Sequence, residues 1–282
     1  FISGIDPNYK DEILTRSGKL QPKYRDKINL ITQPYLNTEY LGFKMDDNDK
    51  NNPLKDKRVR QAINYGFSRE KMIKYMRNNI GYPGELGIIP MGLAGFDSTS
   101  KAYDYNPEKS KQLLAQAGYP NGEGMQEITL STTATYLDLC KYIQQQLGLL
   151  GIKVKIDVNP PAALREHIAQ GKTQWFRGSW IADYADAENY LSLFYSKNHC
   201  PKGSNYTHFS SKEYDKLYEK AILETDYEKR IALYKKMNDI IIEESPIVVL
   251  YYDQVLRFVQ KNISGFESNP LNLLILKNVN KD

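Results

Sequence analysis

Cysteine, histidine and long apolar runs are all scarce in this sequence, and each scarcity removes a class of function. Two cysteines in 282 residues, Cys140 and Cys200, are too few for a small disulfide-stapled scaffold. Cys140 falls on the apolar face of a helical pattern, which makes it a packing residue, and no pairing can be deduced. Three scattered histidines, His167, His199 and His208, show no metal-ligand spacing, so neither a metal nor another cofactor is expected. There is no Gly-x-Ser-x-Gly elbow, and neither cysteine reads as having a histidine partner. No apolar run approaches the roughly 18 residues of a membrane span. The net charge of +4 is spread in mixed-sign patches such as Lys44 to Arg60, which points away from nucleic acid as a partner. The chain opens at Phe1 with no signal sequence before it, as a processed product or a piece of a longer chain would.

What is abundant is tyrosine: 22 residues, against nine Phe and two Trp. Tyrosine serves where one side must be apolar and the other must hydrogen-bond, as at recognition surfaces. The length allows one large domain or two smaller ones. Residues 1 to 27 have weak periodicity, and Ile28 to Phe43 predicts two extended pieces around Pro34. A polar turn spans Asp46 to Asn52. Asp56 and Ser68 are the natural N-caps of two helices, the second over Arg69 to Met76, and Asn106-Pro107 opens a third that Gly118 ends. Gly81 to Asp97 must be loop. Strand and helix then alternate: strands Ile128 to Thr132, Ile152 to Val158 and Trp175 to Ile181, with helices around Ile143 and over Ala162 to Ala169. That rhythm predicts an α/β fold with helices on a largely parallel or mixed sheet. Two further helices follow Ser211. Pro246 ends them, Ile247 to Tyr252 and Val255 to Val259 are strands, and Leu271 to Leu276 is apolar enough to be one more.

The most informative stretch runs from Arg177 to Leu191. A buried-type strand ends at Ile181, and Asp183, Asp186 and Glu188 follow before a short helix over Glu188 to Phe194. In open α/β sheets ligands bind outside the carboxyl ends of the strands, which is where these acids fall. They also suit the N-cap and first turn of the helix, and spacing alone leaves both roles open. Arg177, Trp180 and Asp183 offer a cation, a flat apolar face and an anion. Carboxylate holds ammonium, guanidinium holds carboxylate through paired bonds, and indole flanks an apolar side chain, so the set describes a peptide ligand. Asp183 with Asp186 would also serve as the acid and base of a hydrolase, the alternative from a different class.

The sequence Asn52-Pro53-Leu54, then Lys57-Arg58-Val59-Arg60-Gln61-Ala62-Ile63-Asn64 and Arg69-Glu70, resembles a signature of the family 5 extracellular solute-binding proteins, which include oligopeptide and dipeptide receptors of ABC importers. Leu113 to Tyr119, Gln144 to Ile152, Trp180 to Asp186, Tyr214 to Leu217, Arg230 to Tyr234 and Ser245 to Val248 follow further landmarks of that family in the right order. The resemblance implies a periplasmic-binding-protein-like fold (type II, cluster C) that encloses its ligand between two lobes. It covers the family's C-terminal portion: residues 40–250 as the ligand-binding second lobe with a mixed sheet and flanking helices, residues 1–39 and 251–282 as segments of the first lobe. It implies Asp183 as the site for a peptide α-amino group, Trp180 as a side-chain wall, and Arg177 as a contact for a C-terminal carboxylate. Tyr35, Tyr40, Tyr184, Asp186 and Tyr252, or Asp253 in place of Tyr252, complete the implied site. Pro160-Pro161 stands where a second wall tryptophan is possible, and Asp183-Tyr184-Ala185-Asp186-Ala187 departs from the family's Asp-Tyr-Pro-Asp-Pro form. Implied partners are an oligopeptide, the permease subunits of an ABC importer and the absent N-terminal lobe. The expected state is a monomer, not an enzyme, in the periplasm or on the extracellular face, with a lipid anchor as an option. A nickel chelate, an opine or an oligosaccharide is the alternative ligand within the same class.

Overall fold

The computed structural model describes every residue except 7, 8, 47, 48, 100, 101, 268 and 270, so two positions of the expected polar turn lie outside the described residues. The N-terminal segment carries β1 (Ile2–Ser3) and α1 (Lys10–Ile13) before β2, a 16-residue strand Ile28–Phe43. Pro34 does not split that strand into two. A register shift between Pro34 and Thr38 absorbs the missing ladder donor instead. Helices α2 (Lys57–Tyr65) and α3 (Arg69–Met76) follow. They start as their caps predict: the Asp56 carboxylate accepts from the Arg58 amide at 2.8 Å and the Ser68 hydroxyl from the Lys71 amide at 3.1 Å. The expected loop contains a two-residue strand, β3 (Tyr82–Pro83), and α4 (Pro107–Gln116) opens with Asn106 accepting from the Lys109 amide at 3.0 Å.

The alternating stretch is β4 (Ile128–Thr132), α5 (Leu137–Gly148), β5 (Val154–Val158), α6 (Pro161–Ala169) and β6 (Trp175–Ile181). Then come α7 (Glu188–Leu191), α8 (Lys212–Leu223), α9 (Tyr227–Glu244), β7 (Ile247–Gln260), β8 (Ile263–Ser264) and β9 (Asn280–Lys281). Three further expectations need correction. Helix α7 stops at Leu191, and Ser192–Phe194 tightens into a 3-10 turn. The two strands expected after Pro246 are one continuous β7, held along its length by β2. The apolar tail forms no strand: Leu273 to Leu276 are exposed, and the nearby pairing is β8 with β9. β-Propensity describes a side chain's fit to a pleated surface, and these residues meet no sheet edge.

The main sheet has the order β1-β7-β2-β6-β4-β5, with β3 added on β7. Strand β4 runs parallel to β5 and β6, while β2 is antiparallel to both β6 and β7, so the sheet is mixed. Alternation along β2 sends Tyr40 into one apolar layer, with Phe176, Tyr214 and Met237, and Leu41 and Phe43 into the other, with Ile63, Ile143 and Trp175. The basic signature around α2 is structural. Arg60 is 2% exposed and donates to the carbonyls of Leu54, Lys55, Glu244 and Ser245, tying the end of α9 to α2. Arg69 binds the Val249 carbonyl at 2.6 Å and the Asn64 side chain at 2.8 Å. Burial pulls both guanidinium groups down to about 10, which leaves them charged at neutral pH.

Candidate ligand-binding site

The end of β6 is fixed to β2 before its chain turns out of the sheet. The Leu36 carbonyl accepts from the Ala182 amide at 2.9 Å and from the buried Tyr190 hydroxyl at 2.6 Å. Asn189, also buried, accepts from the Trp180 indole at 2.8 Å and from the Asp183 amide at 3.4 Å. One side chain thus orients the Trp180 indole and the turn that carries Asp183. The Asp183 side chain is exposed and, among the described residues, has no hydrogen bond or ion pair. Trp180 is partly buried against the layer that holds Tyr40.

The neighbouring acids are committed elsewhere. The Asp186 carboxylate accepts from the Glu188 amide at 2.9 Å and lies 3.8 Å from Arg230. Glu188 accepts from the hydroxyls of Tyr184 and Tyr218. Asp186 and Glu188 therefore work as turn and helix-start groups, and Asp183 stands apart from them. Burial pushes the Tyr184 phenol above its ordinary range, and the Glu188 carboxylate beside it adds to the rise.

At the crossing of β2, β6 and β7 the structure brings together residues that the spacing does not foretell. Arg177 pairs with Glu39, and its guanidinium lies 3.3 Å from the centroid of the Tyr136 ring. Asn37 donates to Glu39 at 3.1 Å and to Asp253 at 3.3 Å. Asp253 accepts from Arg77 at 2.7 Å, and Arg77 also donates to the Tyr251 hydroxyl at 2.7 Å. A cleft of about 480 Å³ opens beside this cluster, lined in part by Gly4, Arg77, Thr135, Tyr136 and Asp253. The one sequence signal for the cluster is a carboxylate, Glu39, inside a strand whose other central residues are neutral.

The expected tyrosines take different places. Tyr35 is half-buried, and burial, together with Asp253 and Glu39, raises its phenol. Tyr40 is 4% exposed, its ring against Gly178 and edge-on to Phe176. Tyr252 is 1% exposed and donates to the Gly87 carbonyl at 2.7 Å, which holds the loop after β3. Burial raises both phenols.

One sequence expectation is overturned. Cys200 does have a histidine beside it: its Sγ lies 3.0 Å from His208 Nε2, and His208 Nδ1 lies 2.6 Å from Asp46. The loop between them returns on itself, with the Asn205 amide bonded to the Asn198 carbonyl at 2.7 Å. Burial pushes the Cys200 thiol up, which favours its neutral form.

Residues 3–201 match the family described as bacterial extracellular solute-binding proteins, family 5, middle. The chain belongs to this family. Similar members include the dipeptide-binding protein of Escherichia coli (strain K12), 27% identical over 91% of this chain and 48% of the relative. The glutathione-binding protein GsiB of the same strain is 30% identical over 86% of this chain and 48% of its own length. The chain spans about half the length of the curated relatives it matches. Among solved structures, DppA from Helicobacter pylori in complex with the peptide STSA superposes with a TM-score of 0.81 at 26% identity, over 99% of this chain and 52% of that one. AgaA of Agrobacterium, in complex with agropinic acid, gives 0.79 at 25% identity, over 100% of this chain and 56% of that one. The periplasmic-binding-protein fold is thereby shown. Among the described residues no helix is long and apolar enough to cross a membrane.

Proposed function

We propose that this chain is the ligand-binding lobe of a receptor that captures oligopeptides and delivers them to an ABC-type permease. The observation that carries the reading is Asp183, an exposed carboxylate with no partner among the described residues, at the carboxyl end of β6 in a family whose relatives include peptide binders. In this reading Asp183 takes the α-amino group, Trp180 and Tyr184 flank the first side chains, and Tyr35 borders the ligand near the crossing. Asp186, Tyr40 and Tyr252 act one layer behind, by holding the turn, the sheet and the loop after β3. Arg177, paired with Glu39 inside the sheet, acts in the same way. Residues 40–250 form the lobe, and residues 1–39 and 251–282 belong to a second lobe completed by an N-terminal half. Support for that division comes from the half-length match and from apolar side chains such as Phe1, Ile2, Tyr9 and Leu273, each more than half exposed on those segments. The protein works as a monomer without cofactor or catalysis, outside the cytoplasmic membrane and optionally lipid-anchored. The carboxylate-pair hydrolase is the weaker reading, because Asp186 is engaged with Glu188 and Arg230.

The test is calorimetric titration of the full-length protein with a tetrapeptide library, free and N-acetylated. Acetylation is expected to remove binding at least tenfold. Asp183→Asn is expected to weaken the free pool by one to two orders of magnitude, about 1.4 to 2.8 kcal/mol, with a melting temperature unchanged within about 2 °C. Equal loss of stability and affinity would remove Asp183 from the role. A non-peptide solute is the second reading, favoured by the agropinic acid complex of AgaA. Binding of agropinic acid with no response to either peptide pool would establish it.

A further inference from the structure

We propose that Glu39 sets the receptor's selectivity at the far end of its ligand. It neutralises Arg177 from within the sheet, so the site holds a peptide by its ammonium group and is indifferent to a free C-terminal carboxylate. The inference rests on the peptide reading above and names the charge pattern of the ligand within it.

Arg177 is the cation that the spacing offers to a ligand carboxylate, and in the structure its charge is balanced from within the sheet. One terminal nitrogen bonds to Glu39, whose side chain is 4% exposed. The flat face of the guanidinium covers Tyr136, and its Nε is buried without a partner, so that edge does not point at solvent. The second oxygen of Glu39 is held by Asn37, which reaches Asp253, which in turn binds Arg77. Arg77 also donates to the Tyr251 hydroxyl and, at 3.0 Å, to the Ile80 carbonyl. Two guanidinium groups and two carboxylates, bridged by one amide, thus close into a neutral cluster. Lys10, at the rim of the adjoining cleft, is bonded to Asp11 and Asn78.

A ligand carboxylate approaching Arg177 would meet a guanidinium whose charge Glu39 already balances. It would bring its own charge beside Glu39 and Asp253, and pulling the guanidinium away from Glu39 would leave a buried carboxylate without its cation. The gain from a charge-assisted bond to the ligand is offset by that repulsion. A terminal amide makes no such demand, so the two ligand forms bind alike.

The experiment uses the full-length protein and three forms of the tetrapeptide library: free acid, C-terminal amide and N-acetylated acid. Wild-type protein is expected to bind acid and amide within about twofold while acetylation removes binding. Glu39→Gln frees Arg177, and the acid is then expected to bind at least tenfold better than the amide. The double variant Glu39→Gln/Arg177→Gln is expected to return that ratio to near one. A tenfold preference of the wild type for the acid overturns the inference while leaving the ammonium reading intact. Binding unaffected by acetylation overturns the ammonium reading and this inference with it. If Glu39→Gln does not fold, the wild-type ratio and the double variant, which buries no unpaired charge, decide the matter. A folded Glu39→Gln protein with a ratio near one also overturns it.

Discussion

At the scale of single residues, the strand-end motif separates into one acid that is available and two that are used. Among the described residues the Asp183 carboxylate has no hydrogen bond or ion pair, and Asn189 takes its backbone amide, while Asp186 and Glu188 are occupied by the Glu188 amide and by tyrosine hydroxyls. Asn189 is therefore the residue on which the placing of Trp180 and of the Asp183 turn depends, and nothing in its spacing marks it. Asn189→Ala leaves the Trp180 N–H and the Asp183 amide without their acceptor. It should destabilise the protein by about 1 to 3 kcal/mol and weaken ligand binding at the same time. The chain has two tryptophans, and Trp175 is fully buried in the other layer. A red shift of the intrinsic emission in Asn189→Ala would thus report the release of Trp180, and an unshifted spectrum would show that packing alone holds the indole.

At the scale of elements, β2 and β6 interlock through glycine. Gly42 lies opposite Phe176 and Gly178 opposite Tyr40, and each aromatic ring lies over the glycine of its partner strand. A Cβ on Gly42 would come within 2.5 Å of the Phe176 ring. Gly42→Ala should cost about 1 to 3 kcal/mol, read as a lower urea midpoint with an unchanged slope; no change in midpoint would mean that the ring swings aside freely. This pairing also explains why β2 survives Pro34. The ladder with β6 is complete from Asn37 to Phe43, and the shift next to Pro34 falls where β2 leaves that partner and keeps only β7.

At the scale of the molecule, two large apolar layers enclose the sheet, while the outer ends of β2 and β7 rest on a small cluster of Leu14, Leu20, Ile80, Leu256 and Phe258. Local stability follows buried apolar contact. Native-state hydrogen exchange of the isolated chain should therefore show residues 36–43 and 247–252 as the slowest, with residues 1–33 and 254–282 exchanging orders of magnitude faster. Addition of the N-terminal half of the full-length protein should raise protection in those outer segments; unchanged protection would mean that they are not part of a second lobe. The sequence by itself determined the helix starts, through caps at Asp56, Ser68, Asn106 and Ser211, and the alternating strands, because both depend on neighbours a few residues away. It also determined the family, because ordered motifs survive without knowledge of contacts. Tertiary structure decided what each charged or aromatic side chain does. Glu39 and Arg177 are 138 residues apart in sequence and meet because β2 pairs with β6. His208 reaches Cys200 because a loop returns, and Leu273 to Leu276 stay single because no edge receives them. Local pattern specifies which backbone a residue adopts; only the assembled sheet specifies which distant group lies across from it.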